Sequence, residues 1–169
     1  MYQHQSTDRI TLAIYPNGPG FGFALFRNTD AILAWGVKRA AGDKNKVCVR
    51  KFIRLLNKSH PTDIVLEDIP REQEHRRPRV ADLIISLAQI SMAQGCEVHF
   101  YSRAQIREAF QTRHAFTKQE IAEAVGAIIP NLTHLVPPHK KPWEVEHKAM
   151  SYFSAASLAL THFHVTQHG

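Results

Sequence analysis

Apolar residues fall into short runs before residue 40 and into longer stretches after it. Arg9–Tyr15, Gly20–Arg27 and Asp30–Val37 are strand-like runs set close together. Pro16-Asn17-Gly18-Pro19-Gly20 has the residue types that a tight hairpin needs, and Asn28-Thr29-Asp30 supplies a second turn. The three runs predict an antiparallel meander. Lys44 to Lys58 is basic and amphipathic, and its Val47, Phe52, Ile53, Leu55 and Leu56 predict a helix. Thr62–Asp68 reads as a buried strand ending in acid. Val80 to Gln94 reads as a helix with a broad apolar face closed by Gly95, and Cys96–Tyr101 as another strand. Two further helix starts carry capping boxes, Ser102 with Gln105 and Thr117 with Glu120, and Pro130 ends the second of these helices. The loop Pro137 to Pro142 leads to Trp143 and a last long helix running to about His162.

A meander followed by strand–helix units is the signature of an α/β sheet covered on both faces. No repeat, low-complexity segment or linker interrupts the pattern, and 169 residues suit one core. The expected organisation is a mobile leader over 1–9, one domain over 10–164 and a tail over 165–169. A hydrophobic fraction of 44% with 21% charged residues is that of a globular chain and excludes a disordered one. No apolar run is long enough to span a bilayer, and Met1 to Ile10 is too polar for a signal peptide, so no membrane partner and a cytoplasmic location are expected. Cys48 and Cys96 lie in no paired spacing, which argues against a disulfide framework and a thiolate zinc site. Both read as packing residues in a reducing compartment.

The formal charge of +6 and a pI near 9.5 favour polyanionic partners. Placement sharpens this. Arg71, His75, Arg76, Arg77 and Arg79 crowd one loop, and His139, Lys140 and Lys141 crowd another.

Leu12-Ala13-Ile14-Tyr15-Pro16-Asn17-Gly18, followed by Gly20-Phe21-Gly22-Phe23-Ala24, resembles the opening of RuvC-type resolvases, in which a strand ends in aspartate before a glycine-rich turn. Ile64-Val65-Leu66-Glu67 is similar to the family's fourth strand, which ends in glutamate. Ala155-Ala156-Ser157-Leu158-Ala159-Leu160-Thr161-His162 is similar to its final helix, whose preceding turn carries aspartates. The resemblance spans about Ile10 to His162 and implies an RNase H-like fold, a mixed five-stranded sheet with helices on both faces. It also implies a homodimer, a branched DNA substrate and a metal-dependent endonuclease. In that chemistry three or four carboxylates hold two magnesium ions about 4 Å apart, which activate water and stabilise the leaving oxygen.

The sequence departs from the family at those carboxylates. Tyr15 stands at the first aspartate position, Ser151 and Ser154 at the last two, and only Glu67 matches. One carboxylate cannot balance two divalent ions, so no magnesium or manganese is expected there. The expected function is nucleic-acid binding, DNA ahead of RNA, with weak or absent cleavage.

Tyr15 reads as a space-filling ring, because a phenol of pKa about 10 is a poor ligand at neutral pH. Glu67 is either a surviving ligand or the partner of an arginine. Arg71, Arg76, Arg77 and Arg79 follow Glu67 and must rim the same end of the sheet, where guanidinium forks match phosphates, and Lys140 and Lys141 are further phosphate candidates. Glu144, His147, Ser151 and Ser154 share one face if the last helix begins near Trp143. That leaves a rewired magnesium or manganese endonuclease on Glu67, Glu144 and His147 as the alternative to a merely polar first turn. A protein-interaction module on the same scaffold is the third reading. Of the eleven histidines, His162 and His164 fall on different helical faces and His168 in the tail, so a solvated C-terminus is expected rather than a zinc site.

Overall fold

The structure is a computed structural model that describes residues 8–75 and 77–168, and for His168 the backbone alone. Strands β1 (Ile10–Pro16), β2 (Gly20–Arg27) and β3 (Ala31–Arg39) form the expected meander. Helix α1 (Lys44–Ser59) then leads to β4 (Asp63–Glu67), and the short α2 (Arg71–Glu74) and long α3 (Pro78–Ala93) lead to β5 (Glu97–Tyr101). Helices α4 (Arg103–Ala109), α5 (Lys118–Ile128) and α6 (Met150–His168) complete the chain. The sheet has five strands in the order β3-β2-β1-β4-β5, antiparallel among β1, β2 and β3 and parallel among β1, β4 and β5.

Side-chain alternation along the strands divides the core in two. Leu12, Ile14, Ile64 and Leu66 point to one face and pack with Cys48, Phe52, Leu83 and Leu87 of α1 and α3. Ala13, Tyr15, Val65 and Tyr101 point to the other and meet Phe153, Ala156 and Leu158 of α6, with α4 and α5 outside. Burial raises the pKa of both cysteine thiols, which remain inert packing groups. Both capping boxes form, each with its side-chain and backbone bonds, and Gly95 takes the left-handed φ of 83° that closes α3.

Three expectations are corrected at the ends. Helix α6 starts at Met150 rather than near Trp143. The apolar residues before it, Trp143 and Val145, are two apart and form no helical stripe, so they stay exposed. Residues 141–149 instead run through turns, with Glu144 N–H on Lys141 O (3.0 Å) and Met150 N–H on His147 O (3.0 Å). At its other end α6 continues to His168, so 165–168 extend the helix instead of forming a tail. Arg9 is not part of a mobile leader: its guanidinium is clamped on Asp63, with Nε 3.0 Å from Oδ2 and Nη2 2.8 Å from Oδ1. The rest of the expected leader, residues 1–7, lies outside the described residues. Among the described residues no helix is long and apolar enough to cross a membrane.

The glycines of the first hairpin serve close packing. A Cβ on Gly22 would collide with the backbone of Ser151, where α6 crosses β2, and one on Gly20 would strike Lys38 O of β3. Gly18 has open space. Gly22→Ala should therefore force α6 away from the sheet and cost about 3 kcal/mol, as overpacking of a tight core does. Gly18→Ala should stay within about 0.5 kcal/mol of the parent. Urea unfolding midpoints of the two variants check this pair.

Candidate functional site

The register of β1 on β4 pairs Thr11 with Asp63 and Ala13 with Val65, which carried two residues on sets Tyr15 beside Glu67. Both point to the α6 face at the carboxyl end of the parallel strands. There they line a cleft with Ser154 and Ser157 of α6, Arg103 of α4 and Lys118 of α5. Three of the four expected family positions thus meet. Ser151 does not join them: it is buried on Gly22 and its Oγ donates to Lys148 O at 3.0 Å.

Two cations at the cleft are held by carboxylates. Arg77 Nη1 lies 3.4 Å from each oxygen of the buried Glu67. Lys118 Nζ stands 5.0 Å above the Tyr15 ring and 2.7 Å from Glu146. This residue set does not fit the two-ion centre that the resemblance implies. One carboxylate, already paired with an arginine, faces two further cationic side chains, and the cavity is only about 30 Å³. Two dications there would meet net positive charge with few hard oxygen ligands. Asp68, next to Glu67, is exposed and outside the cleft.

The rewired set does not assemble either. Glu144 and His147 are exposed on the loop before α6 rather than on its face, and neither lines the Glu67 cleft. His147 Nδ1 instead accepts from Ala149 N–H at 3.1 Å, capping the helix start.

Of the basic loop, Arg71 is exposed on α2 and Arg77 is half-buried on Glu67. Arg79 is committed to the fold, its Nη2 on Asn17 O (2.9 Å) and Nη1 on Asn45 Oδ1 (3.0 Å), pinning the first hairpin to α1. Arg76 lies outside the described residues. Lys140 and Lys141 are exposed on the loop before α6, with Lys141 Nζ 5.4 Å from the exposed Trp143 ring. Arg71, Arg77, Arg103, Lys118, Lys140 and Lys141 thus remain around one end of the sheet.

A second cluster forms at the amino end of β4. Asp63 Oδ1 lies 2.9 Å from His99 Nε2, and His162 Nδ1 lies 2.6 Å from Tyr101 Oη. The imidazoles of His99 and His162 face each other with centroids 4.1 Å apart. Asp63, His99 and His162 are the one group of three metal-ligating side chains that converges among the described residues. His162 is not part of the expected solvated terminus, because α6 continues past it and buries it. The signal was present in Ser154, Leu158 and His162, which share a stripe, and in Glu97, His99 and Tyr101, which alternate onto one strand face.

Burial, helped by the nearby charge of His99, pushes His162 down from 6.5 to about 4. Burial alone would push Asp63 up, but hydrogen bonds from Arg9, His99 and Thr62 outweigh it and hold the carboxyl below its ordinary range.

No protein-family model and no curated protein matches the sequence. Solved structures do match. The chain is similar to Thermus thermophilus RuvC, both alone and in complex with a Holliday junction substrate, each with TM-score 0.66, 15% identity and coverage of 95% of this chain and 96% of that one. It is also similar to the yeast mitochondrial Holliday junction resolvase Ydc2, with TM-score 0.59, 12% identity and coverage of 94% and 81%. At such identities the likeness is one of fold, and the RNase H-like fold expected from the motifs is the fold observed.

Two outcomes follow from these geometries. In chelator-treated protein, the unfolded chain protonates His162 between pH 6.5 and about 4 while the folded chain does not, so stability falls as pH drops through that window. The other charged or titratable groups around the ring, Asp63, His99, Arg9, Glu97 and Tyr101, stay in place in His162→Gln. Urea titrations should show about 3 kcal/mol lost by the parent across the window and a flatter profile in that variant. Separately, Tyr15→Asp with Ser154→Asp should give no magnesium-dependent rise in melting temperature while Lys118 stays, because its ammonium neutralises the new carboxylate at residue 15. Adding Lys118→Ala should produce that rise.

Proposed function

We propose that this protein binds branched DNA at the carboxyl end of its parallel strands and does not cleave it by the two-metal route. The observation that carries the reading is the composition of the cleft. Where the resemblance expects a carboxylate cluster, Tyr15 and Ser154 accompany a single glutamate paired with Arg77, beside Lys118 and Arg103.

Side chains of this kind suit the phosphodiester backbone. Guanidinium and ammonium groups hold phosphate oxygens by charge-assisted hydrogen bonds and, unlike metal ions, activate no water. The solved neighbour that carries a Holliday junction substrate has the same fold over nearly the whole chain, which makes a four-way junction the first ligand to try. The exposed rim of Arg71, Lys140 and Lys141 would extend contact beyond the cleft, and Trp143 beside Lys141 offers an aromatic face to an unpaired base. The rim should fix position on the backbone and read little sequence.

The test measures binding to a four-way junction and to a linear duplex of matched composition over a range of salt. Tighter junction binding with a steep salt dependence is expected, and no strand scission with magnesium or manganese. Arg71→Ala with Lys141→Ala should weaken binding to all sequences alike and flatten the slope of log K against log salt by about 1.8, from about 0.9 per phosphate contact. Salt-insensitive or absent binding would turn the reading toward an interaction module. Metal-dependent cleavage of the junction would overturn the non-cleaving part of it.

A further inference from the structure

We propose that Asp63, His99 and His162 form a binding site for one first-row transition-metal dication, zinc foremost, at the end of the sheet opposite the Glu67 cleft. Each ligand comes from a different element: Asp63 from β4, His99 from β5 and His162 from α6. One donor atom of each lies within 4.8 Å of the other two. In the register of β4 on β5, Asp63 pairs with Glu97 and Val65 with His99, which puts Asp63 and His99 on the face that α6 covers. Asp63 and Glu67 share that face but are separated by about 13 Å of strand, so this site and the cleft are distinct.

The donor set selects the ion. Two imidazoles and a carboxylate suit zinc, cobalt, nickel or copper, whereas magnesium needs an all-oxygen, near-octahedral shell. Tetrahedral bonds of about 2.0–2.1 Å separate ligand atoms by roughly 3.4 Å. The His99 Nε2 to Asp63 Oδ1 contact, 2.9 Å around a shared proton, must open slightly, and the widest pair must close. His99 is the ligand free to do this, since its side chain is 26% exposed while that of Asp63 is 3% exposed.

The surroundings orient the ligands as a metal's outer shell does. The Tyr101 hydroxyl engages His162 Nδ1 and leaves Nε2 as the free donor. Thr62 Oγ1 (2.7 Å) and Arg9 Nε (3.0 Å) hold Asp63 Oδ2, while Oδ1 faces His99 and also accepts from Arg9 Nη2 at 2.8 Å, a contact that an entering metal would displace. The guanidinium of Arg9 would repel a dication, but Glu97 lies 3.1 Å from its Nη2. Two carboxylates against one guanidinium leave the site net negative before a metal enters. A cavity of about 310 Å³, lined also by Thr11, Asn28, Thr29 and Thr166, adjoins the three ligands and has room for water as a fourth.

A buried histidine is more often a satisfied polar core residue than a ligand. What sets this group apart is convergence: three ligating side chains from β4, β5 and α6 meet, with the two imidazole centroids 4.1 Å apart beside the carboxylate.

The experiment titrates zinc and cobalt ions alone into the untagged, chelator-treated full chain at neutral pH. One equivalent should bind at submicromolar affinity, cobalt should show the visible absorption of a tetrahedral site, and zinc should raise the melting temperature. His99→Ala removes a partly exposed side chain and should lower zinc affinity by more than the roughly 10–100-fold typical of losing an outer-shell partner. His99→Cys, which restores a soft ligand, should recover binding. His134→Ala with His139→Ala, which alters exposed histidines elsewhere, should leave it unchanged. Binding weaker than micromolar, or one-equivalent binding that survives His99→Ala, would overturn the assignment.

Discussion

Helix α6 lies against β2 so closely that the backbone of Ser151 occupies the space a side chain on Gly22 would need. That contact sets the height of α6 over the sheet and its position along it, and the rest of α6 is built to match. Ala155, Ala156 and Ala159 are fully buried and small, which lets the helix keep its seat over the central strands. Larger residues, Phe153 and Leu158, fill the volume toward α4 and α5. Once α6 is fixed at Ser151, its other polar positions follow by helical rise. Ser154 reaches the carboxyl end of β4, and His162, about 12 Å further along the axis, reaches its amino end.

The same contact shows what could be read from the residues and what could not. The hairpin glycines, the period-two strands and both capping boxes are local signals, and their elements stand where the pattern put them to within a residue or two. The mixed sheet also follows from a meander followed by strand–helix units, while its order β3-β2-β1-β4-β5 comes from the structure alone. The start of α6 was not legible. Trp143, Glu144, Val145 and Glu146 have acceptable helix propensity, but the segment has no apolar stripe to bury, and burial rather than propensity decides a helix end. That one displacement separated Glu144 and His147 from the cleft. Cluster membership of His162 and Asp63 was hidden for a related reason. Each looks unremarkable in its own segment, and only the register of β4, β5 and α6 brings them together.

The α6-facing row of the parallel strands is polar at both ends with opposite balance. Arg9, Asp63, Glu97 and His99 stand at the amino end, where acid outweighs fixed positive charge. Glu67, Arg77, Arg103 and Lys118 stand at the carboxyl end, where fixed positive charge outweighs acid. Between them Ala13 and Val65 are fully buried and apolar, and it is the roughly 13 Å of strand separating Asp63 from Glu67 that weakens the coupling of the two groups. A field of this shape draws a phosphate to one end and a cation to the other. The proposed nucleic-acid contact and the proposed metal site therefore draw on a single division of charge along the strands.

Lys118 is the residue on which the character of the cleft turns, and its position is costly. It begins α5, where the helix dipole disfavours a cation. Three features offset that cost. Glu120 completes the capping box one turn in, Glu146 pairs with the ammonium from the loop before α6, and the Tyr15 ring offers its negative face below. Tyr15 is thus more than filler, since a smaller or aliphatic residue there would leave Lys118 without a floor. An aspartate in its place would pair directly with the ammonium and hold it more tightly still. The tyrosine, the lysine and the loop glutamate form one interlocked unit, so a change to any of them alters how the other two are held.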